Sequence, residues 1–177
     1  MDFEIKVIKR VQAGDNQAFA YLVKRYERPL FVFAGNLLRR SHRVEDLVQE
    51  TFLAAFEHIR RYDSRRGRFS SWLYRIARNK CLNEIKKKRE QLNPDIAESA
   101  AGTDVERDVL HREMFRRLDE TLDQLPFEQR VVFVLAEIQG LPYGEIGRIE
   151  GIPMGTVKSR LSRARKKIMR ILGDFEV

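Results

Sequence analysis

The sequence predicts an all-α protein made of two small helical domains joined by a flexible linker. Apolar residues recur every three or four positions through most of the chain, as on one face of an α-helix, and no stretch alternates convincingly with a period of two. Proline and glycine divide these periodic stretches into pieces of helical length. A segment without clear periodicity, at 92–103, separates them into domains of residues 1–91 and 104–177.

The charge distribution supports this division and limits the classes of function. The chain of 177 residues has a net charge of +8 and a pI of about 9.8, which favours nucleic acid or an anionic membrane as partner. Residues 1–90 carry 21 Lys/Arg and 11 Asp/Glu, residues 91–125 carry 4 and 9, and residues 126–177 carry 9 and 6. Two basic ends therefore flank an acidic middle.

Several classes of protein do not fit the composition. No apolar run is long enough to span a bilayer, and the first residues lack the pattern of a signal peptide. Cys81 is the only cysteine, which excludes an internal disulfide and fits a reducing cytoplasm. The three histidines lie far apart, so we expect no metal site, and we expect no cofactor.

Three helices are predicted in the first domain. The first runs from Asn16 to Leu38, with Pro29 expected to interrupt or kink it, and the second runs from Val44 to Ile59. Ser70 or Ser71 is expected to cap the third.

Four helices are predicted after the linker, and their ends are marked by capping residues, prolines and glycines. The signals are a capping box at Thr103–Glu106, Pro126 and Gly140 around the next helix, Pro142 and Gly151 around the third, and Pro153 before the last.

The last two predicted helices have the order of a helix-turn-helix. The final one, from Met154 to Arg170, contains seven basic residues and no acidic one, a balance that favours contact with a polyanion. Val157, Leu161, Ala164 and Ile168 form its apolar face. The alternative is an ordinary basic helix whose charged face is solvated. The tight turn, the capping residues and the basic charge occur together, however, which favours DNA binding.

Groove-reading residues are expected near the start of such a helix, with phosphate contacts on its flanks. The candidates for base or groove contact are Met154, Thr156, Ser159, Arg160 and Arg163. The candidates for phosphate contact are Lys158, Arg165 and Lys166.

A second constellation lies on the helix Val44–Ile59. Asp46, Gln49, Glu50, Leu53 and Glu57 form a largely acidic stripe opposite the large apolar residues. The stripe is either an ordinary solvated face or a docking surface for a basic partner protein.

A basic, aromatic-rich segment follows, in which arginines lie beside aromatic residues. This combination suits the stacking of unpaired bases, although Trp72 alone is more typical of a core residue. The polar face of the following helix is basic and rich in amides. The candidate residues of loop and helix are Arg65, Arg68, Phe69, Ser70, Trp72, Arg75, Arg78, Asn79, Asn83 and Lys86.

These residues together carry a resemblance to a known family. Glu45–Phe56 and Ser71–Asn79 resemble region two of bacterial sigma factors, while Tyr143–Ile146 and Gly155–Arg165 resemble region four. The two blocks, in this order, are similar to the extracytoplasmic-function (group four) sigma factors of the sigma-70 family. Members usually carry Asp in place of Asn83 and Ala in place of Gly147.

The resemblance implies roles for the two blocks and the linker. Asp46, Gln49, Glu50 and Leu53 would dock on the clamp helices of core RNA polymerase. The loop Asp63–Ser71 and the following helix would open and read the −10 promoter element, and Met154–Arg170 would read the −35 element. The linker would thread towards the RNA exit path.

We therefore expect a non-catalytic, cytoplasmic sigma factor whose partners are core RNA polymerase and promoter DNA, typically held inactive by an anti-sigma factor. The rival is a helix-turn-helix regulator that works without polymerase, which would leave the stripe and the Trp72–Asn79 block unexplained. No phosphate loop, metal cluster or nucleophile–base pair supports an enzyme.

Overall fold

The computed structural model describes residues 3–39, 41–91 and 120–173, and the prediction of an all-α fold is confirmed. The principal helices, numbered in chain order, are α1 (Phe3–Gln12), α2 (Phe19–Leu38), α3 (Arg43–His58), α4 (Phe69–Gln91), α5 (Phe127–Phe133), α6 (Tyr143–Glu150) and α7 (Met154–Gly173). Short 3₁₀ turns at Asn16–Ala18 and Ile59–Arg61 and a π-helical turn at Val134–Ile138 join some of them. No described helix is long and apolar enough to cross a bilayer.

Helices α2, α3 and α4 pack against one another, and α1 lies against α2. Each contributes residues at helical spacing, so that one face is apolar and buried while the other faces solvent. Leu22, Phe33, Leu37, Phe69 and Leu73 are among the fully buried side chains. The loop before α4 is connected to this bundle by the buried side chains of Tyr62 and Phe69.

The C-terminal helices form the predicted helix-turn-helix. Gly151 ends α6 in the left-handed conformation, with φ of 68°, and donates its N–H to the Gly147 carbonyl. Val157, Leu161, Ala164 and Ile168 are buried, as their spacing predicts, and the last two pack with Leu122 and Leu125.

The described parts of the two halves share one continuous hydrophobic core. Val131, Leu135 and Ile146 belong to the same cluster of buried residues as Phe33, Tyr74 and the rest of the N-terminal bundle. The sequence predicts two domains but contains no sign of this packing between them.

A buried arginine lies at the junction between the two halves. Arg130 on α5 donates hydrogen bonds to the carbonyls of Leu37 at 3.3 Å and Asp123 at 2.8 Å, and it forms an ion pair with the Asp123 carboxylate at 3.1 Å. Burial lowers the pKa of Arg130. The Asp123 carboxylate also pairs with Arg39 at 2.7 Å, just after the end of α2.

The structure corrects several predicted boundaries. Helix α2 continues through Pro29 without interruption, and α4 begins at Phe69, so neither Ser70 nor Ser71 caps it. Pro126 and Pro142 occupy N-cap positions, and the helix after Pro126 changes into the π-helical turn before Gly140. The predicted capping box at Thr103–Glu106 and the linker at 92–103 lie outside the described residues.

Candidate nucleic-acid and polymerase interfaces

The predicted acidic stripe lies on the solvent side of α3. Asp46, Gln49, Glu50 and Glu57 are exposed, and 59% of Leu53 is accessible to solvent. The opposite face of the helix is buried against α2 and α4. The stripe is therefore free of the core and open to a partner.

Basic neighbours lie along the stripe and hold its carboxylates in place. Arg43 pairs with Asp46 at 2.6 Å and with Glu50 at 3.4 Å, and Lys80 of α4 pairs with Glu50 at 3.1 Å. The hydrogen bond from Lys80 lowers the pKa of Glu50, which favours its ionised form. Such exposed pairs contribute little to stability but orient the charges.

An open groove between α3 and α4 joins two of the predicted surfaces. Its lining includes Glu50 of the stripe together with Asn83 and Lys86 of α4. The acidic stripe and the polar face of α4 are therefore adjacent on the surface.

The loop before α4 is held at both ends by hydrogen bonds. The Gln12 side chain donates to the carbonyls of Ile59 and Tyr62, both at 2.9 Å, and the Tyr62 hydroxyl donates to the Gly67 carbonyl at 3.0 Å. Within the loop, the hydrogen bond from Arg65 lowers the pKa of Asp63 to about 2. These contacts hold the backbone of the loop in one conformation and so position its exposed arginines.

An aromatic cluster lies beneath the loop. The rings of Tyr62, Phe69 and Trp72 lie with centroids 5.5–5.6 Å apart. Phe69 is fully buried, because α4 begins at this residue and its side chain points into the core. The prediction that Phe69 contacts DNA directly is therefore wrong. Trp72 is half-buried against the same core.

The polar face of α4 is exposed only in part. Arg75, Asn79, Asn83 and Lys86 lie at the surface, while Ser70 and Arg78 are half-buried. Three of the predicted DNA-contacting arginines meet α6: Arg68 pairs with Glu145 at 2.9 Å, Arg78 pairs with Glu150 at 2.9 Å, and Arg75 donates a hydrogen bond to the Arg148 carbonyl.

The turn between α6 and α7 depends on a close approach at Gly147. A Cβ at this position would lie 2.8 Å from the Ile152 carbonyl oxygen and 3.8 Å from a methyl group of Val157. The absence of a side chain therefore lets the two helices meet closely.

The outer face of α7 presents most of the predicted −35 residues to solvent. Met154, Lys158, Ser159, Arg163 and Lys166 are exposed, and Thr156 is half-buried. Two arginines have partners within the chain: Arg160 pairs with Glu150 at 3.4 Å, and the Arg165 Nε donates to Glu137 at 3.1 Å. The face is thus a basic, accessible surface with two internal ion pairs.

Sequence reasoning missed two acidic partners of the predicted DNA-contacting arginines. Glu145 pairs with Arg68, and Glu150 pairs with both Arg78 and Arg160. Both glutamate side chains are buried, with exposures of 6% and 0%, respectively. The available signal was the presence of acidic residues in the first helix of an otherwise basic helix-turn-helix. Nothing in that pattern shows that they reach α4. Within the described residues, no group of histidine, cysteine or acidic side chains is placed to hold a metal ion.

Two protein-family models match separate parts of the chain. Residues 22–91 match the family model for sigma-70 region 2, and residues 115–168 match the model for sigma-70 region 4.

Two relatives are similar over nearly the whole chain. The extracytoplasmic-function (ECF) RNA polymerase sigma factor SigW of Bacillus subtilis is 35% identical, over 96% of this chain and 97% of its own. The ECF RNA polymerase sigma-E factor of Haemophilus influenzae is 38% identical, over 92% and 91%.

Two solved structures share the fold. CnrH in complex with the cytosolic domain of CnrY has a TM-score of 0.76 at 26% identity, covering 96% of this chain and 97% of that one. The sigma factor RpoE in complex with the anti-sigma factor NepR, from Bartonella quintana, has a TM-score of 0.75 at 27% identity, covering 90% and 98%.

Proposed function

This chain belongs to the extracytoplasmic-function sigma factors of the sigma-70 family, and we propose that it acts through three surfaces: the stripe, the loop with α4, and α7. As a sigma factor it directs core RNA polymerase to specific promoters for transcription initiation. The observation that carries the proposal is that one chain presents both an exposed acidic stripe on α3 and an exposed basic face on α7. The family is non-catalytic, and we propose no reaction for this chain.

The stripe on α3 is the proposed polymerase-binding surface. Asp46, Gln49, Glu50 and Leu53 combine charge, an amide and an exposed apolar side chain on one face. Such a mixture can bind a basic protein surface with both electrostatic and apolar contacts. Because core polymerase works on the chromosome, we also propose that this chain acts in the cytoplasm.

The loop and the exposed face of α4 are the proposed −10 surface. Arg65, Arg68 and Arg75 are exposed near Trp72, and Asn79, Asn83 and Lys86 continue the surface along the helix. Guanidinium groups beside an aromatic ring suit the phosphates and unstacked bases of a melted strand. Phe69 contributes by positioning the loop, since its ring is buried.

The outer face of α7 is the proposed −35 surface. Its exposed arginines and hydroxyls near the start of the helix can reach base edges in the major groove, while Lys158 and Lys166 can reach phosphates. Two of the similar solved structures hold a second protein, described for one of them as an anti-sigma factor. We propose that an inhibitor of that kind also binds this chain.

Co-purification with core RNA polymerase tests the proposal, comparing the wild-type chain with Asp46→Arg. We expect the wild-type chain to be retained and Asp46→Arg to be lost, because the substitution reverses a charge on the exposed stripe. The matched control is Glu27→Arg, the same charge change at an exposed position of α2, which should be retained. Thermal melts monitored by circular dichroism would show that all three chains are folded.

Two outcomes would contradict the proposal. A folded wild-type chain that does not bind polymerase would favour a polymerase-independent regulator. Retention of Asp46→Arg at the wild-type level would place the polymerase contact on another surface.

A further inference from the structure

We propose that Glu145 and Glu150 of α6 hold the free chain in a closed form by occupying the arginines that would otherwise bind promoter DNA. This inference rests on the proposed function of the loop, α4 and α7. We call the contact of these two carboxylates with Arg68, Arg78 and Arg160 the interdomain latch.

Glu150 is the centre of the latch. Its side chain is fully buried, with one carboxylate oxygen 2.9 Å from Arg78 Nε and the other 3.4 Å from Arg160 Nη1. Arg78 is one of the residues predicted to contact the −10 element, and Arg160 is one of those predicted to contact the −35 element. A single carboxylate therefore joins the two DNA-contacting surfaces of the chain.

Glu145 extends the latch to the loop. One of its oxygens lies 2.9 Å from Arg68 Nη1, and the other accepts a hydrogen bond of 3.3 Å from the Ser71 hydroxyl. Between the two carboxylates, Arg75 donates to the backbone carbonyl of Arg148. Three of the arginines predicted to contact the −10 element are thus bound to α6.

Packed neighbours surround these polar contacts. The Tyr74 hydroxyl donates to the Gln139 side chain at 2.7 Å, and Gln139 donates to the Pro29 carbonyl at 3.3 Å. The Arg78 guanidinium lies over the Phe127 ring, 5.4 Å from its centroid. The closed arrangement is therefore a packed interface in which these polar groups have partners within the chain.

The latch competes with DNA because a guanidinium group that pairs with a buried carboxylate is not available to a phosphate at the same time. Arg68 keeps 72% of its side chain exposed, so its pair is weak, whereas Arg78 is only 19% exposed. The latch therefore acts mainly through Arg78.

The two DNA surfaces are affected unequally. The other candidates on α7, such as Met154, Lys158 and Arg163, stay exposed in the closed form. The stripe on α3 also stays exposed, so polymerase can bind before the latch opens. The closed form therefore lowers the affinity for the melted strand more than the affinity for duplex DNA.

The first experiment compares the wild-type chain with the double variant Glu145→Gln/Glu150→Gln. The probe is a fluorescent single-stranded DNA of mixed sequence, and fluorescence anisotropy gives the affinity of the free chain. We expect the variant to bind at least about tenfold more tightly, since binding no longer requires opening of the latch.

The matched control is Glu27→Gln/Glu128→Gln, which removes two exposed carboxylates outside the latch and gives the same net charge. It should change the affinity by less than about threefold, the contribution of general charge alone. An equal gain in both double variants would overturn the latch.

A second measurement is made on a chain that keeps Glu145 and Glu150. Fluorescence energy transfer is recorded between labels at His58→Cys on α3 and Met169→Cys on α7, two exposed positions. Cys81 is buried, and burial raises its pKa to about 12, so it resists labelling. Saturating single-stranded DNA should change the transfer efficiency, and an unchanged efficiency with DNA bound would overturn the latch.

The two proposals fail in different ways. If the wild-type chain does not bind core polymerase, the proposed function fails. If the wild-type chain binds polymerase but the latch variant gains no affinity for single-stranded DNA, only the latch fails.

Discussion

At the scale of single residues, Glu150 shows how a buried charge is tolerated. Its carboxylate is removed from water but lies between two guanidinium groups, and burial of a charge is acceptable only with such partners. The same residue type on the outside of a basic helix-turn-helix would repel DNA. Its burial at the interface removes that repulsion only while the chain is closed.

Gly147 offers a direct test of the turn between α6 and α7. We expect Gly147→Ala to lower the free energy of unfolding by about 1–3 kcal/mol, because the new Cβ would lie 2.8 Å from the Ile152 carbonyl oxygen. Urea unfolding followed by circular dichroism would measure the change.

Gly144→Ala is the matched control for this substitution. Gly144 lies in the same helix, and a Cβ there meets nothing within 4 Å, so the alanine should raise stability by up to about 1 kcal/mol. Equal stabilisation by both alanines would mean that the turn accommodates the extra carbon.

At the scale of elements, helix periodicity and helix boundaries were predicted with different success. The apolar faces of α3 and α7 lie where their spacing puts them, since side chains three or four positions apart share a face. The start of α4 was misplaced, because Phe69 is drawn into the aromatic cluster and begins the helix without a serine cap. Packing outweighed the local capping preference there.

The division of α7 into base-reading and phosphate-binding residues predicts two different responses to substitution. Lys166→Ala should weaken binding to all duplexes alike and reduce the slope of log K against log salt by about 0.9, because one phosphate contact is lost. Arg163→Ala should cost roughly 1–3 kcal/mol on the cognate −35 site. Both side chains are exposed on the same helix, which makes them a matched pair.

Fluorescence anisotropy at several salt concentrations, with cognate and random duplexes, would measure both effects. A change of sequence preference in Lys166→Ala, or an equal loss on random DNA in Arg163→Ala, would contradict the division.

At the scale of the whole molecule, two tyrosines connect stability to pH, one half-buried (Tyr26) and one buried (Tyr74). Tyr26 donates a 2.6 Å hydrogen bond to Glu4, and Tyr74 bonds to Gln139 across the interface. Burial is the main cause that raises the pKa of each above the ordinary value of 10.0. The contribution of these two tyrosines to the free energy of unfolding is fully present below pH 10. It is lost at higher pH, because the phenols ionise at a lower pH in the unfolded chain than in the folded chain.

We therefore expect the free energy of unfolding to fall above about pH 10, by at most about 1.4 kcal/mol per pH unit for each tyrosine. Urea unfolding between pH 8 and 11 would measure this for the wild-type chain and for Tyr26→Phe/Tyr74→Phe. The double variant should show a shallower dependence, with Cys81 contributing equally to both chains. Identical slopes would show that the two phenols do not control alkaline stability.

The sequence by itself determined the helical class, the polar and apolar faces and the helix-turn-helix, because periodicity, caps and charge depend on residues close together along the chain. Only the tertiary structure decided which surfaces meet. The contacts of Arg78 with Glu150 and of Ser71 with Glu145 join residues 72 and 74 positions apart. Rules based on residue spacing cannot predict contacts between residues so far apart in the sequence. Packing alone therefore determines the latch, the burial of Phe69 and the shared core.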